Sequence, residues 1–585
     1  MGQTMLLRYL LFASVSLLSA CSEDRVSEQQ QAAPVTGLAA LEQHSAIFTP
    51  RVENPAAGVY VAIGYALANS ILIEGEGGAI VVDTTESRGA AEAVLRAFRE
   101  VSDAPIRAII YTHNHADHIM GASVFTDGKP IPIYAHAALP EKVSKVVNVL
   151  QSTVETNAMR MFGEQLAAGG ERVINDGIGP ELRQIGASDG LGAVGYVPPT
   201  HLVSDELSVT IAGVNLVLLH APGETDDQLV VWLPDQRVLL AADNIYKAFP
   251  NLYTIRGTSY RDVRQWSDTL RKMASLRAEV LVPSHTIPLY GEAEITALLS
   301  DYADAIQFVH DQTVRLINLG VKPTDIAREL TLPDELAQHE WLQPFYGTVA
   351  WSARSVYSGY LGWFDGDSVD LFPTSESEKS ARLVRLMGGS ESALGEGEAV
   401  LQSDPQWALE LSELVLNSDR DNLRAQSLKG SALRLLAQNA MNPNARNWYL
   451  SEALELEGKV QFKPRAIDAE RLAYAQDLPV EGLLDRLQVS LDPDKSRGIE
   501  QQLQFVFPDQ NKRFLLTVRH QVLIIEPIDS SIVDVTEITV NASDWLALVA
   551  QHDSFPAAIA SGRLKVSSGI SDLPAVLSFL GLFSQ

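Results

Sequence analysis

The chain reads as an α/β protein, followed by a helical region and then a smaller mixed sheet-and-helix region. Three observations predict this. Apolar strand-like runs recur through the first half of the chain, a helix pattern intervenes between them, and a histidine-rich segment opens at the end of the next strand. From about residue 321 the pattern turns helical, and strand-like alternation returns near residue 502.

Val59 to Leu67, Ser70 to Glu74 and Ala79 to Asp83 read as successive strands, with Gly75 to Gly78 supplying a turn. Glu86 to Val101 then reads as a helix, because Ala91, Val94, Leu95 and Phe98 fall on one face. Ile106 to Tyr111 is the next strand. Asp83 has two readings: it hydrogen-bonds a ligand histidine from behind, or it caps the helix that follows.

Directly after that strand comes Thr112-His113-Asn114-His115-Ala116-Asp117-His118. Three imidazoles and a carboxylate within six residues are hard to obtain by chance in a chain with 12 His. His113 and His115 alternate along an extended segment and reach one cation, while Asp117 and His118 turn toward a second. A hydrolytic zinc site needs about three protein ligands and an open position for water, so further ligands are expected downstream. Pro222-Gly223-Glu224-Thr225 places a carboxylate on a glycine turn after the strand-like Leu216 to His220, and Glu224 is the expected third ligand for His113 and His115. Val238 to Ala242 ends in Asp243, from which one carboxylate can bridge both metals. Glu279 to Pro283 leads to Ser284 and His285, which completes the set of Asp117 and His118. Singly, each of these reads more readily as a turn or capping residue than as a ligand. Each in turn ends a predicted strand, and together they satisfy two zinc ions without His136, His201 or His220.

This order, HxHxDH, a later ligand after Pro-Gly, an acidic strand end and a late histidine, resembles the metallo-β-lactamase fold. Glu224, where that superfamily usually has histidine, is similar to the zinc-dependent alkyl sulfatase branch, as is Asn251-Leu252-Tyr253-Thr254-Ile255-Arg256-Gly257. The resemblance implies an αββα sandwich, two zinc ions, and contact between Arg256 and sulfate. Read without it, Arg256 is a surface residue. Tyr346-Gly347-Thr348 through Tyr360-Leu361-Gly362-Trp363-Phe364-Asp365-Gly366 is similar to the start of the alkyl sulfatase dimerisation region, and residues from 464 onward resemble its α+β, sterol-carrier-like third domain. One position departs from the family: Trp351 stands where alkyl sulfatases usually carry a histidine. It reads as a packing residue or as part of an apolar substrate wall.

The expected organisation is a leader at 1–21, a polar linker at 22–40, a catalytic domain at 41–320, a helical dimerisation-like domain at 321–463 and a sterol-carrier-like domain at 464–585. A chain of 585 residues exceeds what one core organises. Its 46% hydrophobic and 20% charged content is that of a globular protein. Net charge of −28 argues against nucleic-acid partners and also repels a sulfate ester, so any positive charge must be local. The only cysteine is Cys21. Leu18-Ser19-Ala20-Cys21 after a short basic and apolar leader resembles a bacterial lipobox, with Cys21 lipidated and Ser22 directing the protein to the outer membrane. A plain signal peptide or an uncleaved anchor is the alternative. No disulfide and no thiolate ligand can then form within the mature chain.

In the helical region Pro323-Thr324-Asp325 looks like a helix start, and Trp407 to Leu416 and Asn422 to Leu436 are periodic. Later come strand-like runs at Gln502 to Phe507, Phe514 to Arg519 and Val522 to Pro527, then helices near Ala542 to His552 and Asp572 to Phe583. Val576, Leu577, Phe579 and Leu580 are core or the wall of a lipid cavity. The expected protein is a periplasm-facing, lipid-anchored homodimer that cleaves alkyl sulfates with two zinc ions. The resemblance implies a water acidified by zinc and positioned by Asp243, with Arg256 stabilising the sulfate charge; attack breaks either the carbon-oxygen or the sulfur-oxygen bond. Tyr246 and Tyr253 are auxiliary polar groups or packing residues. Two alternatives are a hydrolase of lactones, thioesters or phosphoesters on the same fold, and a non-catalytic lipid carrier.

Overall fold

The computed structural model of the protein describes residues 37–148, 150–167, 169–181, 194–464, 480–549, 552–567 and 572–583. The leader, Cys21, Ser22 and most of the 22–40 linker lie outside these residues. Among the described residues no helix is long and apolar enough to cross a membrane.

The first sheet takes its seven strands in sequence order: β1 (Arg51–Ala56), β2 (Val59–Ile63), β3 (Ser70–Gly75), β4 (Gly78–Val82), β5 (Ile106–Ile110), β6 (Ile133–His136) and β7 (His201–Val203). Antiparallel pairing runs to β4, and parallel pairing from β4 to β7. The second sheet is equally sequential: β8 (Glu206–Ile211), β9 (Val214–His220), β10 (Leu229–Leu233), β11 (Val238–Ala242), β12 (Val280–Pro283) and β13 (Leu289–Tyr290). Only its β11 and β12 run parallel.

Side-chain alternation explains the layering. On β4, Ile80 and Val82 enter the core between the sheets, while Ala79 and Val81 pack outward against Val94 and Phe98 of the helix Arg88–Arg99. On β11, Val238 and Leu240 face the first sheet, while Leu239 and Ala241 face outward with Trp266 and Leu270 of the helix Val263–Ser275. Strands buried on both faces need continuous apolar runs, which is why these segments lack polar residues. The expected αββα sandwich is therefore present. A long helix, Glu292–Asn318, adds Leu299, Tyr302 and Ile306 to the outer layer.

Boundaries shift slightly from the expected ones. The helix expected from Glu86 begins at Arg88, because the Ser87 side chain accepts the Ala90 N–H at 3.2 Å and caps it. Asp83 is therefore not its cap. In the helical region Asp404, Asn422 and Asn442 cap the helices Pro405–Ser418, Leu423–Asn439 and Pro443–Leu456 in the same way.

The last sheet has the order β16-β15-β14-β17-β18, from β14 (Gln501–Phe507), β15 (Lys512–Arg519), β16 (Val522–Pro527), β17 (Glu537–Val540) and β18 (Leu564–Val566). Phe505, Phe507, Trp545, Val576 and Phe579 fill its core. Leu580 packs against that core partly buried, and Leu577 is 45% exposed.

Candidate metal centre

The HxHxDH segment works because the backbone changes conformation in its middle. Thr112 follows the end of β5, its N–H bonded to Asp83 Oδ1 at 2.9 Å, and the chain bends at His113 and Asn114 before His115 returns to extended backbone. His115 (φ −65°, ψ 146°) then precedes the short helix Ala116–Ile119, whose first turn swings Asp117 and His118 to the neighbouring position. Two groups of donor atoms result: His113, His115 and Asp243, and Asp117, His118 and His285, each gathered within 4.8 Å.

The outward ring nitrogens are held from behind. His118 Nδ1 lies 2.8 Å from Asp83 Oδ2, His285 Nδ1 lies 2.9 Å from the Leu67 carbonyl, and His113 Nδ1 lies 3.0 Å from Thr112 Oγ1. Such contacts set the tautomer and leave Nε2 facing the centre. There the His113 Nε2 to His115 Nδ1 distance is 2.8 Å. Asp243 Oδ2 stands between the groups, 3.6 Å from His113 Nε2, 3.3 Å from His118 Nε2 and 3.2 Å from His285 Nε2. Asp117 Oδ2 lies 3.5 Å from both His118 Nε2 and His285 Nε2.

These residues fit metal ions. His118 Nε2, His285 Nε2 and Asp243 Oδ1 are buried with no hydrogen-bond partner among the described residues. Bare nitrogens and carboxylates converging in a dry interior are costly unless a cation joins them. Nitrogen and oxygen donors in this number suit zinc among the divalent metals. Electrostatics agree: burial holds His113 and His115 well below the usual imidazole range. Burial works the same way on His118, but Asp243, Asp117 and Asp83 overcome it and raise that group.

The strands end in unusual backbone. Asp83 (φ 60°), Thr85 (φ 72°), Ala242 (φ 52°) and Thr286 (φ 68°) all sit in the left-handed region beside the centre. A bulge between Leu240 and Ala242 against β12 re-aims the chain just before Asp243. Each such conformation costs roughly 1–3 kcal/mol and persists only where its surroundings enforce it.

Glu224 is buried beside the centre but outside both donor groups. Its Oε1 pairs with Arg261 Nη1 at 2.7 Å, and its Oε2 accepts from the Tyr246 hydroxyl at 3.2 Å. Burial, then the Glu224 charge, pushes the Tyr246 phenol well above its ordinary pKa, so it remains a donor. Sequence reasoning missed Arg261, which precedes the helix cap Asp262 and reads there as an exposed residue. It is 5% exposed.

Arg256 is half-buried, with Nη2 3.3 Å from His115 Nε2. It shares a cavity of about 870 Å³ with His115, Asp117 and Asp243, and Met120, Val154, Phe162 and Ile178 supply apolar wall. The arrangement can hold an anionic head beside metals and an alkyl chain along the wall. Tyr253 and Trp351 do not line this cavity. Trp351 is half-buried on the helix Val349–Leu361, where its N–H donates to the cap Thr348. His136 and His220 stack on each other at 4.2 Å, and His201 is exposed; none joins the donor groups.

Comparison with known proteins places these features in context. The model of the metallo-beta-lactamase superfamily matches residues 64–285, that of alkyl sulfatase dimerisation residues 322–459, and that of the alkyl sulfatase C-terminal region residues 469–585. A linear primary-alkylsulfatase from a Pseudomonas species is 36% identical over 528 residues, covering 88% of this chain and 98% of that one. An (R)-specific secondary-alkylsulfatase from Pseudomonas is 28% identical over 547 residues, covering 90% of this chain and 80% of its own length. The solved structure of a stereoselective inverting sec-alkylsulfatase from Pseudomonas superposes with a TM-score of 0.85 at 25% identity, covering 94% of this chain and 87% of that one.

Proposed function

The chain belongs to the alkyl sulfatase family of the metallo-beta-lactamase superfamily, and from that premise we propose that it hydrolyses sulfate esters of alkyl alcohols using two zinc ions. The observation that carries this reading is Asp243 Oδ2, set within 3.6 Å of three histidines from both donor groups, in a cavity that also holds Arg256 and an apolar wall.

His113, His115 and Asp243 would hold one ion and Asp117, His118 and His285 the other, with Asp243 Oδ2 near histidines of both groups, while Glu224, the third ligand expected for His113 and His115, stands beside them paired with Arg261 and Tyr246. When bound, the ions supply Lewis acidity that makes water a nucleophile near neutral pH and offsets charge on the sulfate. Arg256 presents a planar set of donors to the sulfate oxygens. Asp243 orients the attacking water, and the apolar wall fixes the alkyl chain and excludes solvent from the ester. The products are an alcohol and inorganic sulfate.

In this reading the helical region pairs two copies into a homodimer, and its borders follow the expected division at 321 and 464. Cys21 carries a lipid that anchors the protein to the outer membrane, facing the periplasm. The test is release of inorganic sulfate from a medium-chain alkyl sulfate by zinc-loaded protein lacking residues 1–21, beside His115→Ala. Turnover that disappears in the variant supports the proposal. A protein holding two zinc ions that releases no sulfate would sink it.

A further inference from the structure

Glu224 and Asn251 are joined twice, through two different side chains. Arg261 Nη1 pairs with Glu224 Oε1 at 2.7 Å and also donates to the Asn251 carbonyl. The Tyr246 hydroxyl donates to Glu224 Oε2 at 3.2 Å and accepts the Asn251 N–H at 2.8 Å. Both carboxylate oxygens of Glu224 are thus tied to both backbone groups of one peptide residue, in a closed ring. All four residues are 5% exposed or less. In so dry a place each hydrogen bond is strong, and losing one leaves a stranded polar group.

Asn251 opens the loop that carries Arg256. That loop turns through Gly257, whose N–H bonds the Thr254 carbonyl at 3.1 Å and whose φ of 104° suits glycine. Among the described residues the Arg256 carbonyl receives a long 3.4 Å bond from Asn157, and Thr254 Oγ1 contacts Met161 Sδ at 3.3 Å. Beside these long contacts, the ring at Asn251 is the tighter set of polar ties on the loop, so it bears on where the Arg256 guanidinium sits.

We infer that Tyr246 and Arg261 are positioning residues for anion binding: they lock the Asn251–Gly257 loop to Glu224 and so fix Arg256 beside the metal ligands. The inference rests on the reading of Arg256 as the sulfate contact. Tyr246 lies off the cavity wall, and Arg261, which borders the cavity, has its Nη1 committed to Glu224 and to the Asn251 carbonyl. Their effect passes through Arg256, and that gives the test its form.

The probe is inorganic sulfate, titrated calorimetrically into the metal-loaded full chain, with metal content measured on every sample. Tyr246→Phe removes one oxygen and is expected to weaken sulfate binding about tenfold, the scale of one buried hydrogen bond, at unchanged metal content. Arg261→Lys keeps the charge but not the fork and is expected to do the same. Arg256→Ala should weaken binding further, and adding Tyr246→Phe to it should cost nothing more, because the two act as one unit. Unchanged sulfate affinity in Tyr246→Phe, or an undiminished effect of it in the Arg256→Ala background, overturns the inference. So does a loss of metal that accounts for the weakening. Sulfate affinity untouched by Arg256→Ala would instead remove the premise, and it is read in a separate variant.

Discussion

Asp83 Oδ2 lies 2.8 Å from His118 Nδ1, and the same oxygen accepts from Thr112 Oγ1 and Ser284 Oγ at 2.9 Å each. One buried carboxylate thereby ties the end of β4 to the start of the HxHxDH segment and to the residue before His285. Its left-handed backbone, φ 60°, is one that aspartate tolerates better than most residues.

Asp83→Asn should keep that backbone and most of the packing but lose the negative charge behind His118. Partners of this kind are worth roughly 10–100-fold in metal affinity. Competition with a chelator should show the loss in the variant, with a circular dichroism spectrum like the parent's. Unchanged affinity would mean that Asp83 only braces the fold.

Removing metal should lower stability as well as activity. The donor atoms already converge in the folded chain, so metal ions would bind the native state in preference to the unfolded one. At a free metal concentration near a thousand times the dissociation constant, the stabilisation is about 4 kcal/mol. Thermal melts with and without chelator should therefore differ, and returning zinc should restore both melting temperature and turnover. Coincident melts would argue that the groups hold no ion.

Much of this centre was legible in the sequence, and the reason is local. His113, His115, Asp117 and His118 sit on one short segment whose spacing encodes an extended stretch followed by a helical turn. Asp243 and His285 end apolar strands, where ligands collect when sheets face each other. What was not legible lies in contacts across long sequence distances. Nothing in the text of the chain pairs Asp83 with His118 in preference to a helix cap, and Ser87 takes that cap in the structure. Arg261 gives no apolar pattern to betray burial, because its burial follows from its partner Glu224 on another loop. The long helix Glu292–Asn318 escaped notice although it packs Leu299, Tyr302 and Ile306 against the second sheet.

Acid should destabilise the protein through His44. Its ring is buried, stacked on Phe345 at 3.9 Å and 9°, and burial lowers its pKa from 6.5 to about 4. Between those values the unfolded chain binds a proton that the folded chain refuses, so stability falls as pH drops from about 6.5 toward 4. The effect is at most about 3 kcal/mol over the window. His44→Phe should flatten the decline in melting temperature across that range. An equally steep decline in the variant would assign the acid sensitivity to other groups.

Gly223 is the last and sharpest test of the turn that presents Glu224. A Cβ at this position would run into the Asn244 side chain and come within 3.0 Å of Trp266 Cδ1. Neither neighbour can move freely, since Trp266 Nε1 donates to the Asn244 carbonyl at 3.0 Å and Asn244 Nδ2 to the Ala221 carbonyl at 2.9 Å. Overpacking of this sort costs typically 1–3 kcal/mol. Gly223→Ala should therefore lower the melting temperature and also push Glu224 away from Arg261 and Tyr246. If the ring around Glu224 matters to anion binding, the variant should lose sulfate affinity beyond what its reduced stability explains, measured well below its melting point. Parent-like stability and sulfate affinity would show that the turn yields, and that the contact with Asn244 is not a constraint on the centre.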